Sequence, residues 1–268
     1  MGDQPLVMLG TLLSGALSIE SGHSETWKGY LQKSDNTRKL SYIKIVDERG
    51  LATELLCCVI ARELGLPMTQ PFLVKIQSRV LPNITRDTYA FGLEDAEYPA
   101  ISSRTRDDDL VRRILLKWKF LDLCTVFDSW IGNNDRLPHN LLFDGVKRFN
   151  LIDHDQAIDQ YLTESNHTRN NLIRLFNYQE SEFEKHSLIK RLLSEADKFN
   201  NIDFNVIRTE IVSSNGIVRA EIIDSHISIL QKRVQFLPNI LREQIGIRQN
   251  DIFYDTTKSQ AKPNQTRK

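Results

Sequence analysis

The sequence predicts an α+β protein of two lobes, because strand signals and helix signals occupy different parts of the chain. Up to about residue 77, short runs of β-branched and aromatic residues alternate with polar turns, and only one stretch has a helical composition. Beyond residue 160 only helical patterns remain. Segregated strands and helices are typical of the α+β class. We therefore predict a small β-rich lobe with one helix over residues 1–92, a mostly helical lobe over residues 93–254, and a cleft between them.

The composition excludes several classes of protein. The chain has 268 residues, of which 40% are hydrophobic and 26% charged, so it can build a substantial core. Its 35 basic residues balance 35 acidic ones, which argues against a direct nucleic-acid partner. The best candidate for a membrane span, residues 6–17, is uncharged but shorter than the roughly 20 apolar residues that a spanning helix needs. We expect a cytoplasmic protein that does not bind membranes and whose three cysteines are buried free thiols.

The predicted β-rich lobe consists of short strands around a single helix. The helix is predicted at residues 51–64, because Gly65 and Pro67 follow it and both stop a helix. The strands are predicted at residues 5–9, 11–17, 27–31, 40–46, 71–77 and 88–93.

The predicted helical lobe begins with a long buried helix. Apolar residues surround the stretch from residue 107 to residue 131 on nearly every side, which is typical of a helix at the centre of a domain. A polar loop and a hairpin with strands at residues 140–143 and 148–152 follow. Further helices are predicted at residues 180–198, 204–212, 218–236 and 238–245, and residues 255–268 are predicted to be a disordered tail.

Three polar residues around the predicted hairpin indicate chemistry. Asp135 lies in the polar loop, Asn140 follows five residues later, and Asp153 lies thirteen residues beyond Asn140. Phosphoryl transfer from ATP needs one carboxylate for the acceptor hydroxyl, and a carboxamide with a second carboxylate to hold Mg²⁺. The hairpin would bring Asn140 and Asp153 side by side. The alternative is a polar loop that only forms an Asx-turn.

A lysine and a glutamate in the β-rich lobe fit the same chemistry. Lys44 lies in the middle of a predicted strand, and Glu54 follows ten residues later in the first turn of the predicted helix. Kinases place a strand lysine on the α- and β-phosphates and hold it with a helix glutamate. Taken alone, Lys44 is also consistent with an edge strand that faces solvent.

At these residues the chain resembles the HipA-like kinases, a family related to the phosphatidylinositol kinases, over about residues 15–160. The resemblance rests on four features of the sequence. These are the strand lysine Lys44, the segment from Glu54 that ends in Leu64-Gly65-Leu66-Pro67, the loop Gly132-Asn133-Asn134-Asp135 with Asn140, and the triplet Ile152-Asp153-His154.

By this resemblance, each matching residue takes a role from the family. Asp135 would be the catalytic aspartate, and Asn140 and Asp153 would bind Mg²⁺. Lys44 would contact the phosphates of ATP with Glu54 as its ion-pair partner. Asp155 stands where protein kinases carry glycine, and it would be either a second metal contact or a solvated acid.

The segment over the phosphates is the least regular part of the resemblance. Ser18 and Ser21 begin the stretch of residues 18–24, which resembles a loop of HipA-like toxins whose serines are autophosphorylated. The alternative is a polar turn between two strands.

The resemblance implies an ATP- and Mg²⁺-dependent kinase that phosphorylates Ser or Thr of a protein. It further implies a toxin or defence effector that acts on a translation component such as an aminoacyl-tRNA synthetase, with an antitoxin as a second partner. Two alternatives remain open from the sequence. One is a lipid or small-molecule kinase of the phosphatidylinositol-kinase-like group, and the other is a non-catalytic pseudokinase that binds a partner.

Overall fold

The computed structural model describes residues 6–19, 25–176, 181–212 and 217–247. Its N-terminal region is a six-stranded sheet in the order β1-β5-β6-β4-β3-β2, in which β1 also pairs with β3. The sheet therefore closes on itself, because β1 has β5 on one side and β3 on the other. The strands are β1 (Met8–Leu12), β2 (Leu17–Ile19), β3 (Glu25–Lys33), β4 (Arg38–Ile45), β5 (Pro71–Ile76) and β6 (Thr88–Glu94).

Helix α1 (Glu48–Glu63) packs between this sheet and the helical part of the chain. Asp47 caps its first turn by accepting a hydrogen bond from the Gly50 backbone N–H, and Gly65 follows it with a φ of 77°. Its middle, residues 51–61, is buried on every side. The helix starts three residues earlier than predicted, so Glu54 lies in its second turn rather than its first.

The long helix predicted at residues 107–131 is two helices in the structure. They are α2 (Asp108–Leu115) and α3 (Leu121–Ile131), and residues 116–120 form turns between them. The two segments differ in burial, since α2 buries only Val111 and Leu115 whereas α3 is buried along its length. The turns direct Trp118 inward onto Phe149, with ring centroids 4.9 Å apart. The apolar composition of the whole stretch concealed this change of direction.

The hairpin and the C-terminal helices lie close to their predicted positions. The hairpin is β7 (Leu141–Phe143) and β8 (Phe149–Leu151), and the helices are α4 (Glu182–Ala196), α5 (Phe204–Val212) and α6 (Ala220–Ile245). The predicted break near Pro238 was wrong, because α6 continues through this residue. A proline removes one helix hydrogen bond, and the buried Leu237 and Ile240 on either side hold the helix in place against that loss.

The core of the described chain is continuous across α1, α3, α6 and the hairpin. Trp130 of α3 is fully buried and donates a hydrogen bond of 3.0 Å to the backbone oxygen of Leu230. The three cysteines are free and buried, as expected from the sequence. In the described part of the chain, no helix combines the length and the apolar character that a membrane crossing requires. The predicted tail at residues 255–268 lies outside the described residues.

The packing of α6 on α1 makes the stability of the protein depend on pH. His226 of α6 is 3.1 Å from the Thr53 hydroxyl of α1. Burial, assisted by the positive charge of Arg49, lowers the pKa of His226 from 6.5 to about 4. As the pH falls below 6.5, the unfolded chain binds a proton at this position and the folded chain does not, so the free energy of unfolding decreases.

We expect this histidine to remove about 1 kcal/mol of stability between about pH 7 and about pH 5.5. Urea unfolding of the wild type and of His226→Gln at the two pH values measures the effect. The variant should lose less stability than the wild type over this interval. Equal losses would show that His226 does not titrate differently in the two states.

Candidate active site

Lys44 of β4 is the centre of a cluster of charged side chains. Its Nζ lies 3.1 Å from Glu54 Oε1, 2.6 Å from Asp153 Oδ1 and 2.7 Å from Asp155 Oδ2. The two aspartates are 109 and 111 residues away along the chain. Four of the residues predicted from the sequence therefore meet at one point, where the β-rich region contacts the segment after β8.

Glu54 links α1 to that segment through both of its carboxylate oxygens. One oxygen contacts Lys44, and the other accepts a 3.0 Å hydrogen bond from the backbone N–H of His154. Burial opposes ionisation, but the His154 ring, whose Nδ1 lies 3.6 Å from Glu54 Oε2, and the charge of Lys44 outweigh it and lower the pKa of Glu54 below its ordinary value. The His154 ring is buried beside Phe127, with ring centroids 6.0 Å apart. Glu54 is therefore an ionised carboxylate inside the protein.

The two aspartates that contact Lys44 differ in their electrostatic surroundings. Burial and the negative charge of Glu54 raise the pKa of Asp153, although Lys44 opposes this shift. Burial also acts on Asp155, but the hydrogen bond and charge of Lys44 prevail there and lower its pKa. Three carboxylates thus share one ammonium group, and the surplus negative charge favours the binding of a further cation.

Asp153 has an unusual backbone conformation. Its φ is 61°, in the left-handed region that aspartate tolerates better than most residues. Such conformations concentrate at functional sites, where the surrounding structure holds them. Asp153 lies between the end of β8 and the buried His154, and its backbone conformation directs the carboxylate towards Lys44.

The loop after α3 holds Asp135 in a fixed position. Gly132 ends α3 with a φ of 70°, which a larger residue adopts only under strain. A Cβ at this position would also lie 2.4 Å from a Leu162 methyl group, which would have to move. Asn133 Oδ1 accepts a 3.0 Å hydrogen bond from the Asp135 backbone N–H. Asn140 Nδ2 donates to the Asp135 backbone oxygen at 2.7 Å and to its carboxylate at 3.1 Å.

The hairpin places Asn140 beside the segment that carries Asp153. Leu141 pairs with Leu151, and the Ile152 backbone N–H donates to the Asn140 backbone oxygen at 3.3 Å. Since the amide nitrogen of Asn140 is bound to Asp135, its side-chain oxygen is the atom that remains for a cation. Oxygen donors from Asn140, Asp153 and Asp155 are the type that Mg²⁺ prefers, so these residues fit such an ion.

A buried ion pair lies beneath this loop and was not predicted from the sequence. Asp128 of α3 is fully buried and accepts hydrogen bonds from Asn133 and from Arg136, whose guanidinium is also buried. An acid in the second half of a largely apolar helix was the available signal, because a fully buried carboxylate needs a partner. The partner could not be chosen from the sequence, which offers many arginines.

No contact is seen between the two predicted serines and the Lys44 cluster among the described residues. Ser18 was predicted in a loop, but it lies in β2, where it is exposed and pairs with Trp27 of β3. The apolar neighbours Leu17 and Ile19 extend the strand on either side of it. Ser21 lies outside the described residues.

A cavity of about 600 Å³ adjoins the cluster on the side of Asp155. It lies between the first turn of α1 and residues 155–161, and its lining includes Arg49 and Tyr161. Arg49 donates a 2.7 Å hydrogen bond to the backbone oxygen of Ile158, which has a φ of 48°. A positive φ is rare for a β-branched residue, so Arg49 helps to hold this segment in a strained conformation.

A β-rich N-terminal region with one helix, followed by a helical C-terminal region, is consistent with a kinase-like fold. A family model described as HipA-like kinase matches residues 28–202, which is more than half of the chain. The chain belongs to the HipA-like kinase family, and the resemblance seen in the sequence is confirmed. A comparison with curated proteins gives no significant match. Membership of this family indicates a kinase, and Lys44, Glu54, Asp135, Asn140, Asp153 and Asp155 all lie within the matched residues.

Proposed function

We propose that this protein is an ATP- and Mg²⁺-dependent kinase that phosphorylates Ser or Thr of a protein, using the site around Lys44. The observation that carries the proposal is the contact of Lys44 with Glu54, Asp153 and Asp155. A lysine held by a helix glutamate beside a metal-binding aspartate is the arrangement with which kinases bind ATP phosphates. The family match supports the same reaction class.

The residues would divide the work of binding between them. Lys44 would exchange its contacts with Asp153 and Asp155 for contacts with phosphate oxygens, while Glu54 keeps it oriented. Asn140 and Asp153 would hold Mg²⁺ through oxygen, and Asp155 would add a further contact. When bound, Mg²⁺ neutralises the negative charge of the phosphates.

Asp135 would act on the acceptor rather than on the nucleotide. Its carboxylate is half-buried and is fixed by Asn140, so one side of it remains accessible. It would orient the acceptor hydroxyl and take its proton as the terminal phosphoryl group is transferred. General-base assistance of this type contributes about 10²–10⁴-fold to a rate.

The finer assignments rest on the resemblance to the family. A protein acceptor, a role as a toxin or defence effector, a translation component as the substrate and an antitoxin as a partner are all proposed on that basis. The cavity beside Asp155 provides room for an acceptor segment next to the Lys44 cluster. A pseudokinase has no need to keep all the groups that phosphoryl transfer requires. The chain keeps five of them, which argues against a pseudokinase: Lys44, Glu54, Asp135, Asn140 and Asp153.

Substitution of Asp135 and of Asp153 should separate catalysis from binding. Asp135→Asn should retain Mg²⁺-dependent ATP binding in a thermal-shift assay, while phosphate transfer falls by about 10²–10⁴-fold. Asp153→Ala should lose the metal-dependent shift, because it removes a metal ligand. The transfer reaction is followed with labelled ATP and mass spectrometry of a cell lysate.

Two results would count against these roles. Transfer at the wild-type rate by Asp135→Asn would remove this residue from catalysis. An unchanged metal-dependent shift in Asp153→Ala would remove Asp153 from the metal site.

Asp155 should compete with the phosphates for Lys44 when no metal is present. Asp155→Asn removes this competing anion, so ADP should bind up to about fivefold more tightly in the absence of metal. In the presence of Mg²⁺ the variant should bind ADP more weakly, because it lacks one metal contact. Isothermal titration measures both constants, and Asp159→Asn is the control, since Asp159 lies on the same segment and is exposed. Equal ADP affinity of Asp155→Asn and wild type without metal would show that phosphate does not displace Asp155.

The serine segment should carry the product of self-phosphorylation. After incubation with ATP, the wild type should carry phosphate on Ser18 or Ser21, and Asp135→Asn should carry none. A phosphoserine adds about −1.5 to −2 charge near the nucleotide, so the modified protein should bind ATP more weakly. Intact-mass measurement detects the phosphate, and the variants Ser18→Ala and Ser21→Ala show which serine carries it. An active wild-type protein that stays unmodified would exclude the switch.

A further inference from the structure

The buried pair of Asp128 and Arg136 lies directly beneath the candidate active site. Both side chains are fully excluded from solvent. The Arg136 guanidinium donates from Nε and Nη2 to the two carboxylate oxygens of Asp128, at 3.1 and 3.2 Å. Burial opposes the charged guanidinium, but the adjacent carboxylate outweighs it and raises the pKa of Arg136 above its ordinary value. The guanidinium is therefore charged, and the pair has a fixed, two-point geometry.

The third nitrogen of Arg136 connects the two ends of the hairpin at the site. Nη1 donates to the backbone oxygen of Asn140 at 3.1 Å and to that of Ile152 at 2.6 Å. Asn140 is one proposed metal ligand, and Ile152 immediately precedes the other, Asp153. One planar group thus holds the backbone at both ligands at once.

Asp128 extends the same network to the proposed catalytic aspartate. Its Oδ1 accepts a 3.1 Å hydrogen bond from Asn133 Nδ2, and Asn133 Oδ1 in turn accepts from the Asp135 backbone N–H at 3.0 Å. A single carboxylate on α3 is therefore connected, within two hydrogen bonds, to the backbone of Asp135 and Asn140 and to the residue before Asp153.

We propose that Arg136 is a positioning residue which, held by Asp128, sets the separation of Asn140 and Asp153 and so determines the affinity of the site for its metal ion. This inference rests on the proposed function for the identity of the ion. Groups that orient metal ligands from behind typically change metal affinity by 10–100-fold when they are removed. A lysine at position 136 has one ammonium group and cannot reproduce the fork that joins Asp128 to two carbonyl oxygens.

The chain provides a matched control in Arg233. This arginine is also fully buried and donates to backbone oxygens, among them Trp130 at 2.7 Å and Ser129 at 3.0 Å. It contacts none of Asp135, Asn140, Ile152 and Asp153 among the described residues. Replacement of either arginine by lysine removes a buried guanidinium, so both should lower the melting temperature, but only Arg136→Lys should alter the site.

The experiment is isothermal titration of ADP into the full chain, with and without Mg²⁺, for the wild type, Arg136→Lys, Asp128→Asn and Arg233→Lys. Hydrogen exchange of residues 133–142 and 149–155 is measured in the same four proteins without any ligand. Arg136→Lys and Asp128→Asn should weaken the Mg²⁺-dependent part of binding by about 10–100-fold and should speed exchange in both segments. Arg233→Lys should change neither, and ADP binding without metal should be the same in all four. Circular dichroism confirms that each variant is folded. If Arg136→Lys does not fold, Asp128→Asn still tests the proposal, because it keeps the shape of the side chain.

Each failure has a distinct signature. If the wild type binds ADP without any Mg²⁺ dependence, the proposed function is wrong, and the exchange data alone decide whether Arg136 holds the two segments together. The positioning role is overturned by a different result. In that case ADP binding by the wild type depends on Mg²⁺, but Arg136→Lys and Asp128→Asn have the same Mg²⁺-dependent affinity and exchange rates as the wild type or as Arg233→Lys.

Discussion

The arrangement of the site depends on the ionised carboxylate of Glu54, which is fully buried. A charge in the interior must be paired, and Glu54 meets this requirement with the Lys44 ammonium on one oxygen and the His154 backbone N–H on the other. These contacts join three separate parts of the chain: strand β4, helix α1 and the segment after β8. Removal of either partner would leave a buried charge unsatisfied, so the three parts have one favourable arrangement. The position of Asp153 relative to Lys44 follows from it.

A second buried carboxylate, that of Asp128, fixes the arrangement of the loop after α3. It is paired with Arg136, which is itself buried, and the pair fixes the backbone of the loop and of the hairpin. Buried ion pairs contribute little net stability compared with apolar residues of the same size, because desolvation offsets the attraction between the charges. The geometry that such a pair imposes is a better explanation for its place here. In the Lys44 cluster, one ammonium group serves Glu54, Asp153 and Asp155, so the cluster keeps surplus negative charge.

Local signals predicted most of the elements, and they were wrong where tertiary packing overrode them. Gly65 ended α1 as predicted, since a residue with a positive φ stops a helix whatever surrounds it. Pro238 did not end α6, because the apolar residues around it pack into the core and hold the helix. The break between α2 and α3 was missed because apolar content alone does not distinguish an exposed amphipathic helix from a buried one.

The sequence by itself determined the family, predicted most of the strands and helices in their order, and offered Lys44, Glu54, Asp135, Asn140 and Asp153 as residues of the candidate site. The spacing of Asp135, Asn140 and Asp153 is a local property of one loop and one hairpin, and a hairpin of that length has few ways to fold. Lys44 and Glu54 could be proposed because one strand and the next helix carry them. Only the tertiary structure decided that Asp155 also contacts Lys44, that Ser18 lies in a strand, and that Asp128 and Arg136 hold the loop from beneath. The physical reason is that these facts depend on strand pairing, on burial and, for Asp155, on a contact between residues 111 apart along the chain. Such contacts give a polar residue its partner and leave no mark on its immediate neighbours in sequence.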